Sequence, residues 1–176
     1  MVVFVYDFLH QKSSIGLLKI LHEGFPISLV LAQPFLELEV YRPRKQFAVQ
    51  EKISTTAKEI CAQFGVKYVV ADHNGNEALS LLSDVQADIG IILGSRILAP
   101  AVIERFNIGI INIHPGLLPS NRGLENLRWA TLNRIPQGLT AHLISEEIDM
   151  GLKLSEKIVS VFQSDTCDNV VTRIFG

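Results

Sequence analysis

The sequence predicts an α/β layer fold: an open, mostly parallel sheet of about seven strands with helices on both faces. Three observations predict it. Short apolar runs alternate along the chain with segments whose apolar residues recur every three or four positions. The run Ile89-Gly90-Ile91-Ile92-Leu93 is apolar at every position, as a central strand covered on both faces must be. Glycine and proline, at Gly24, Gln33-Pro34 and Gly65, stand where these segments should end.

Residues 2–8 are the first strand. Ser13 or Ser14 is expected to cap the helix that follows, and Gly24 to end it. Residues 27–32 form the second strand, and 34 to about 50 carry no clean period and read as a long loop. Ile53, Ala57, Ile60, Cys61 and Phe64 fall on one face of a helix, capped at Ser54 or Thr55 and stopped by Gly65. A third strand at 67–70, a helix at 77–85 and a fourth strand at 88–93 follow. Pro100 opens a short helix, where proline is tolerated in the first turn. The fifth strand is 108–113, a helix covers 124–132, the sixth strand is 139–144, and 152–161 is a seventh, antiparallel at an edge or in a hairpin. Ser164-Asp165 cap a last helix through Val170, Val171 and Ile174, so the chain reads as one domain over 1–176 with its final helix cut short.

Composition excludes several classes. At 176 residues, with 48% hydrophobic and 19% charged, the balance is that of a globular domain. No apolar run approaches the roughly 18–20 residues that cross a bilayer. Residues 2–8 lack a basic segment before them and contain Asp7, so they read as a strand rather than a signal peptide. A net charge of -2 gives no bulk attraction to nucleic acid. Arg42, Arg44 and Lys45 make a local basic stretch, diluted by Pro43, Glu37 and Glu39. It reads as a solvated loop first and a phosphate contact second. Cys61 and Cys167 have no metal-ligand spacing and suit reduced thiols in a cytoplasmic protein.

In an open α/β sheet, ligands bind beyond the carboxyl ends of the strands. Asn112 and His114 are two apart at such an end and point to one face, before a rigid Pro115-Gly116 turn. An amide and an imidazole side by side can hold a developing oxyanion. Either residue alone is more often a turn or core residue, and the pair at this spacing points to a site. His142 and Asp149 make a second pair across the loop after the sixth strand, with Asp149 able to orient a histidine or relay a proton. Glu146 and Glu147 read as solvated. His114, His142 and Asp149 also supply three metal donors in number, but in no HExxH-like or cysteine spacing, so no metal is expected. There is no GxGxxG after the first strand and no GxSxG elbow.

Residues Asn112-Ile113-His114-Pro115-Gly116-Leu117-Leu118-Pro119, then Arg122-Gly123 and Trp129-Ala130, resemble the formyltransferases that use 10-formyltetrahydrofolate. Gly138-Leu139-Thr140-Ala141-His142, followed by Asp149 and Gly151, is similar to that family's second motif, and Ala87-Asp88 through Arg96-Ile97-Leu98 to the strand and loop before both. The resemblance implies a Rossmann-like fold, 10-formyltetrahydrofolate as formyl donor, a small primary amine as acceptor and no metal. It implies a catalytic set Asn112, His114 and Asp149, in which a protonated His114 and the Asn112 amide donate to the formyl oxygen while Asp149 positions the imidazole or a water. It further implies a folate pocket formed by the backbone of Arg96, Ile97 and Leu98 and the loop approaching Asp149 (Leu143, Ile144, Ser145), with Leu118 beside it, and Arg122, Gly123 and His142 towards the acceptor. A homodimer is left open.

Departures bear on the acceptor. Glycinamide ribonucleotide formyltransferases carry a glycine- and serine-rich phosphate loop after the first strand. Here that place has no glycine before Gly16. Methionyl-tRNA formyltransferases add a C-terminal domain, for which 176 residues leave no room. Leu124-Glu125-Asn126 stands where several family members have a proline. By elimination the expected acceptor is an amino sugar, nucleotide-linked. The alternatives are a glycinamide ribonucleotide or methionyl-tRNA acceptor, a formyltetrahydrofolate hydrolase, and a folate-binding module without catalytic power.

Overall fold

Two periodicities, two for strands and 3.6 for helices, divide the chain as expected in the computed structural model, which describes residues 1–37 and 54–175. The strands are β1 (Val2–Tyr6), β2 (Leu29–Gln33), β3 (Tyr68–Val70), β4 (Ile89–Ile92), β5 (Gly109–His114), β6 (Gln137–Leu143) and β7 (Lys153–Val159). They form one sheet in the order β3-β2-β1-β4-β5-β6-β7. The first five are parallel, and β6 and β7 each run antiparallel to the strand before. The helices are α1 (Gln11–His22), α2 (Ala57–Phe64), α3 (Asn76–Val85), α4 (Pro100–Ile103), α5 (Asn126–Asn133) and α6 (Cys167–Phe175). Arg42, Arg44, Lys45 and Ile53 lie outside the described residues.

Alternation along the central strands feeds two cores. Val2, Phe4, Leu29 and Leu31 pack with Ala78 and Leu82 of α3 and Val102 of α4. Val3, Val5, Val30 and Ala32 pack with Leu17 of α1 and with Ala57, Ile60 and Cys61 of α2. The sheet is therefore covered on both faces. A smaller cluster of Val159, Val170 and Ile174, with Leu127 and Leu139 against it, brings α6 onto β7. Among the described residues no helix is long and apolar enough to cross a membrane, and both cysteines are free thiols.

Helix starts differ from the sequence expectation, because side-chain geometry decides them. The cap of α1 is His10, whose Nδ1 accepts from the Ser13 N–H at 3.3 Å. Ser13 and Ser14 are buried in the first turn, and the Ser14 hydroxyl donates to the Thr55 carbonyl at 2.7 Å. Thr56 caps α2, in a reciprocal box with Glu59. Helix α5 begins at Asn126, because Glu125 is left-handed at φ 58 and breaks the helix before it. Thr166 and Asn169 exchange hydrogen bonds at the start of α6, while Asp165 accepts from the Phe162 N–H and pairs with Arg173. Thr56→Ala is expected to lower stability by about 1 kcal/mol, read from urea denaturation as a lower midpoint at unchanged slope.

Candidate functional site

The strand order reverses between β1 and β4, which places the carboxyl ends of β1, β4 and β5 around one crevice. Antiparallel β6 then carries its own side chains up against the end of β5. Asn112 is opposite His142 in the register, and His114 opposite Thr140. Asn112 Nδ2 is 3.3 Å from His142 Nε2. His142 Nδ1 faces the Met150 carbonyl at 3.2 Å, so Nδ1 carries the proton and donates, and Nε2 is the acceptor. That tautomer turns the amide nitrogen of Asn112 towards His142. One amide hydrogen is used there, and the second remains to donate elsewhere.

The turn after β5 is clamped by β6. The Thr140 hydroxyl donates to the Gly116 carbonyl at 2.8 Å and accepts from the Leu118 N–H at 3.1 Å. Asp149 reaches the same place from the loop between β6 and β7. Its Oδ1 is 3.3 Å from His114 Nδ1, and its Oδ2 accepts from the Gly123 N–H at 2.7 Å. The loop can do this because its backbone doubles back. Asp149 is left-handed at φ 51, a conformation aspartate tolerates, and Gly151 follows at φ 98. A Cβ at Gly151 would stand 2.2 Å from the Leu143 carbonyl oxygen, so only glycine fits the return onto β6.

A small, solvent-open cleft lies at this junction, lined by Leu118, Pro119, Arg122, His142, Asp149, Met150, Gly151 and Lys153. Asn112, His114, His142 and Asp149 thus stand together, with Arg122 and Gly123 beside them. Of the seven residues expected at a folate pocket, Leu118 lines the cleft and the other six are outside its wall. Leu98 is buried in the core under α3 and α4, and Ile144 packs against the same cluster. Ile97 is exposed, with its carbonyl accepting from Asn74 Nδ2 at 3.0 Å. Arg96 donates to the Leu36 carbonyl at 3.3 Å. The Leu143 N–H is used by the Leu152 carbonyl, and Ser145 Oγ donates to the Glu147 carbonyl at 3.3 Å.

His114 is 4% exposed, and both ring nitrogens already face protein groups. Nδ1 faces Asp149; Nε2 is 2.8 Å from the Asn121 carbonyl oxygen and 3.1 Å from Asn126 Nδ2. Burial pushes the imidazole below its ordinary value, while the Asn121 carbonyl and Asp149 pull it back up and His142 and Lys12 lower it further. The ring is therefore neutral near neutral pH. The sequence expectation of a protonated His114 donating to a formyl oxygen does not match this geometry, because desolvation disfavours the cation and no ring nitrogen is left over.

Three partners of the site carried no sequence signal. Asn121 and Asn126 sit in an irregular turn and at a helix start, positions where asparagine is ordinary. Lys12, in the first turn of α1, sends Nζ to the Ile113 carbonyl at 2.8 Å, between Asn112 and His114. Burial lowers its pKa to about 8. Nothing in one sequence links it to a strand so far along the chain. Among the described residues no group of three or more histidines, cysteines and carboxylates could hold a metal.

Comparison with known proteins bears on this arrangement. The family model described as formyl transferase matches residues 15–175. A methionyl-tRNA formyltransferase of Chlorobium limicola is 26% identical over 133 residues, 74% of this chain and 41% of that protein. The phosphoribosylglycinamide formyltransferase of Escherichia coli is 34% identical over 89 residues, 49% of this chain and 42% of that protein. The chain thus spans about two fifths of the length of these curated relatives. The crystal structure of a phosphoribosylglycinamide formyltransferase from Bacillus halodurans superposes with a TM-score of 0.73 at 19% identity, covering 99% of this chain and 87% of that one.

Proposed function

This chain belongs to the formyl transferase family, and on that premise we propose that it transfers a formyl group from 10-formyltetrahydrofolate to a primary amine, with a nucleotide-linked amino sugar as acceptor. The observation that carries the reading is the meeting of two polar pairs, Asn112 with His142 and Asp149 with His114, at one cleft.

The chemistry asks for two things. As the amine attacks the formyl carbon, negative charge gathers on the formyl oxygen; as the new bond forms, the amine must lose a proton. The second N–H of Asn112, fixed by the His142 tautomer, is suited to the oxygen. Asp149 borders the cleft and is suited to take the proton, directly or through a water, while the Gly123 N–H holds its Oδ2 and His114 Nδ1 stands 3.3 Å from its Oδ1. Collapse of the adduct breaks the bond to the folate nitrogen, which takes up a proton as it leaves. Arg122 and Lys153 outnumber the single Asp149 carboxylate in the cleft wall, a balance that suits anionic ligands, which a nucleotide-linked sugar and a folate tail both are. The absence of glycine after β1 before Gly16 speaks against the phosphate loop of glycinamide ribonucleotide enzymes. A cytoplasmic location belongs to the same proposal.

The test is mass spectrometry of amino sugars, glycinamide ribonucleotide and charged methionyl-tRNA incubated with protein and formyl donor. A formylated amino-sugar product is expected. Folate release at one rate with or without amine would make the protein a hydrolase instead. Calorimetry with a non-reactive folate analogue should give saturable binding, and folded protein that ignores millimolar analogue would end the folate reading altogether.

A further inference from the structure

We infer that Asn74 is a positioning residue for the formyl donor. Its side-chain amide stands in for a neighbouring strand beside Leu98, so that the Leu98 backbone N–H and C=O face the other way, towards the donor's pterin ring. The inference rests on the donor proposed above, and its test separates the two.

The loop between β4 and α4 starts beside the site. β4 lies parallel to β5 with Ile92 paired to Asn112, so the loop leaves the sheet next to the residue proposed to hold the formyl oxygen. Side chains from two other elements pin it. Near its start, the Tyr6 hydroxyl at the end of β1 donates to the Ser95 carbonyl at 2.7 Å. Near its end, Asn74 Nδ2 donates to the Ile97 carbonyl at 3.0 Å, and Asn74 Oδ1 accepts from the Ala99 N–H at 2.7 Å. A carbonyl can only accept and a backbone N–H only donate, so the amide has one orientation. Asn74 is itself held in the turn after β3. Its own N–H donates to Asp72 Oδ1 at 3.1 Å, and the Gly75 N–H donates to the Asp72 carbonyl at 2.9 Å.

These bonds have the pattern of a parallel ladder. A residue on a parallel strand donates to the carbonyl before its partner and accepts from the N–H after it. Asn74 does both with one side chain, and Leu98 is the partner. Peptide planarity fixes the rest. In a trans peptide the N–H points away from the C=O, so the Leu98 N–H lies opposite the Ile97 carbonyl and the Leu98 C=O opposite the Ala99 N–H. Both turn to the edge away from Asn74, where no described residue hydrogen-bonds to either. Leu98 is only 5% exposed, its side chain packed in the core. Backbone groups shielded from water and without a protein partner call for a partner from outside the chain. A pterin ring carries donors and acceptors side by side along one edge, the complement of a neighbouring N–H and C=O.

Calorimetry with a non-reactive folate analogue, steady-state kinetics and amide hydrogen exchange test this together. Asn74→Ala removes both hydrogen bonds. It is expected to weaken analogue binding and raise the donor KM roughly tenfold, with turnover at saturating donor and the amine KM little changed. Exchange of the Ala99 amide should speed up in the same variant. Asn74→Asp keeps an acceptor for the Ala99 N–H but sets an oxygen against the Ile97 carbonyl. Ala99 should then stay protected while analogue affinity still falls. Asn74 is exposed, so both variants are expected to fold, with urea midpoints near that of the unmodified protein. Unchanged analogue affinity in both variants overturns the inference and leaves the folate reading standing, and so does a loss that falls on turnover and the amine KM instead. An unmodified protein that ignores the analogue ends the folate reading and the inference with it. Should neither variant fold, exchange of the Leu98 amide in the unmodified protein decides: slowed by the analogue it supports the inference, and unslowed it overturns it.

Discussion

Asn112→Ala is expected to lower turnover at saturating substrates by roughly 10²–10³, about 2.7–4 kcal/mol of transition-state stabilisation, with donor affinity little changed. The formyl oxygen of the bound donor is nearly neutral, so an amide N–H gains little from it until the amine attacks. At that point charge appears, and a donor already fixed in place needs no reorganisation. Asn112 is fixed because His142 Nε2 takes one of its hydrogens at 3.3 Å and the Met150 carbonyl holds His142 in the required tautomer. The measurement is turnover and folate-analogue affinity for the variant beside the unmodified protein. Intact turnover with weakened binding would make Asn112 a folate-positioning residue and remove it from the mechanism.

Much of this site was legible because strand geometry made it so. Two residues apart on an extended chain share a face, and that rule with the Pro115-Gly116 turn after it pointed to Asn112 and His114, while Asp149 was joined to them only by the family resemblance. The layered fold was legible for the same reason, since Val2, Phe4, Leu29 and Leu31 alternate with Val3, Val5, Val30 and Ala32 between two cores. What was not legible depended on tertiary register. The pairing of Asn112 with His142 exists because β6 runs antiparallel to β5 in one register, and a shift by one residue would have turned His142 to the other face. The approach of Asn121 and Asn126 to His114 Nε2 depends on a turn shape that no short-range pattern encodes.

The second large effect concerns stability in acid, and its source is His73, just beyond β3. The residue is fully buried, edge-on to the Phe4 ring at 5.1 Å between centroids. Its Nε2–H donates to the Leu31 carbonyl at 3.0 Å, and its backbone N–H donates to Gln33 Oε1 at 2.8 Å. The other ring nitrogen, Nδ1, has no hydrogen-bond partner among the described residues. Protonating Nδ1 would therefore place an unpaired cation in the core, and burial pushes the pKa down to about 4, against a small opposing pull from the Leu31 carbonyl and Asp72. The folded value lies below the unfolded one, so the unfolded chain binds the extra proton first. The contribution to stability is complete above about pH 6.5 and is lost as pH falls from there towards 4, on the order of 3 kcal/mol in all. Urea denaturation at intervals between pH 7.5 and 4, buffered across that window, should give a falling midpoint in which carboxylates join only at the acid end. His73→Gln, which has no proton to gain, is expected to reduce the slope between about pH 6.5 and 4.5, the rest coming from His10 and His114, whose pKa values burial also lowers. A His73 ring that titrates at or above its ordinary value by NMR, or a variant that keeps the full slope, would mean that the acid sensitivity lies elsewhere in the fold.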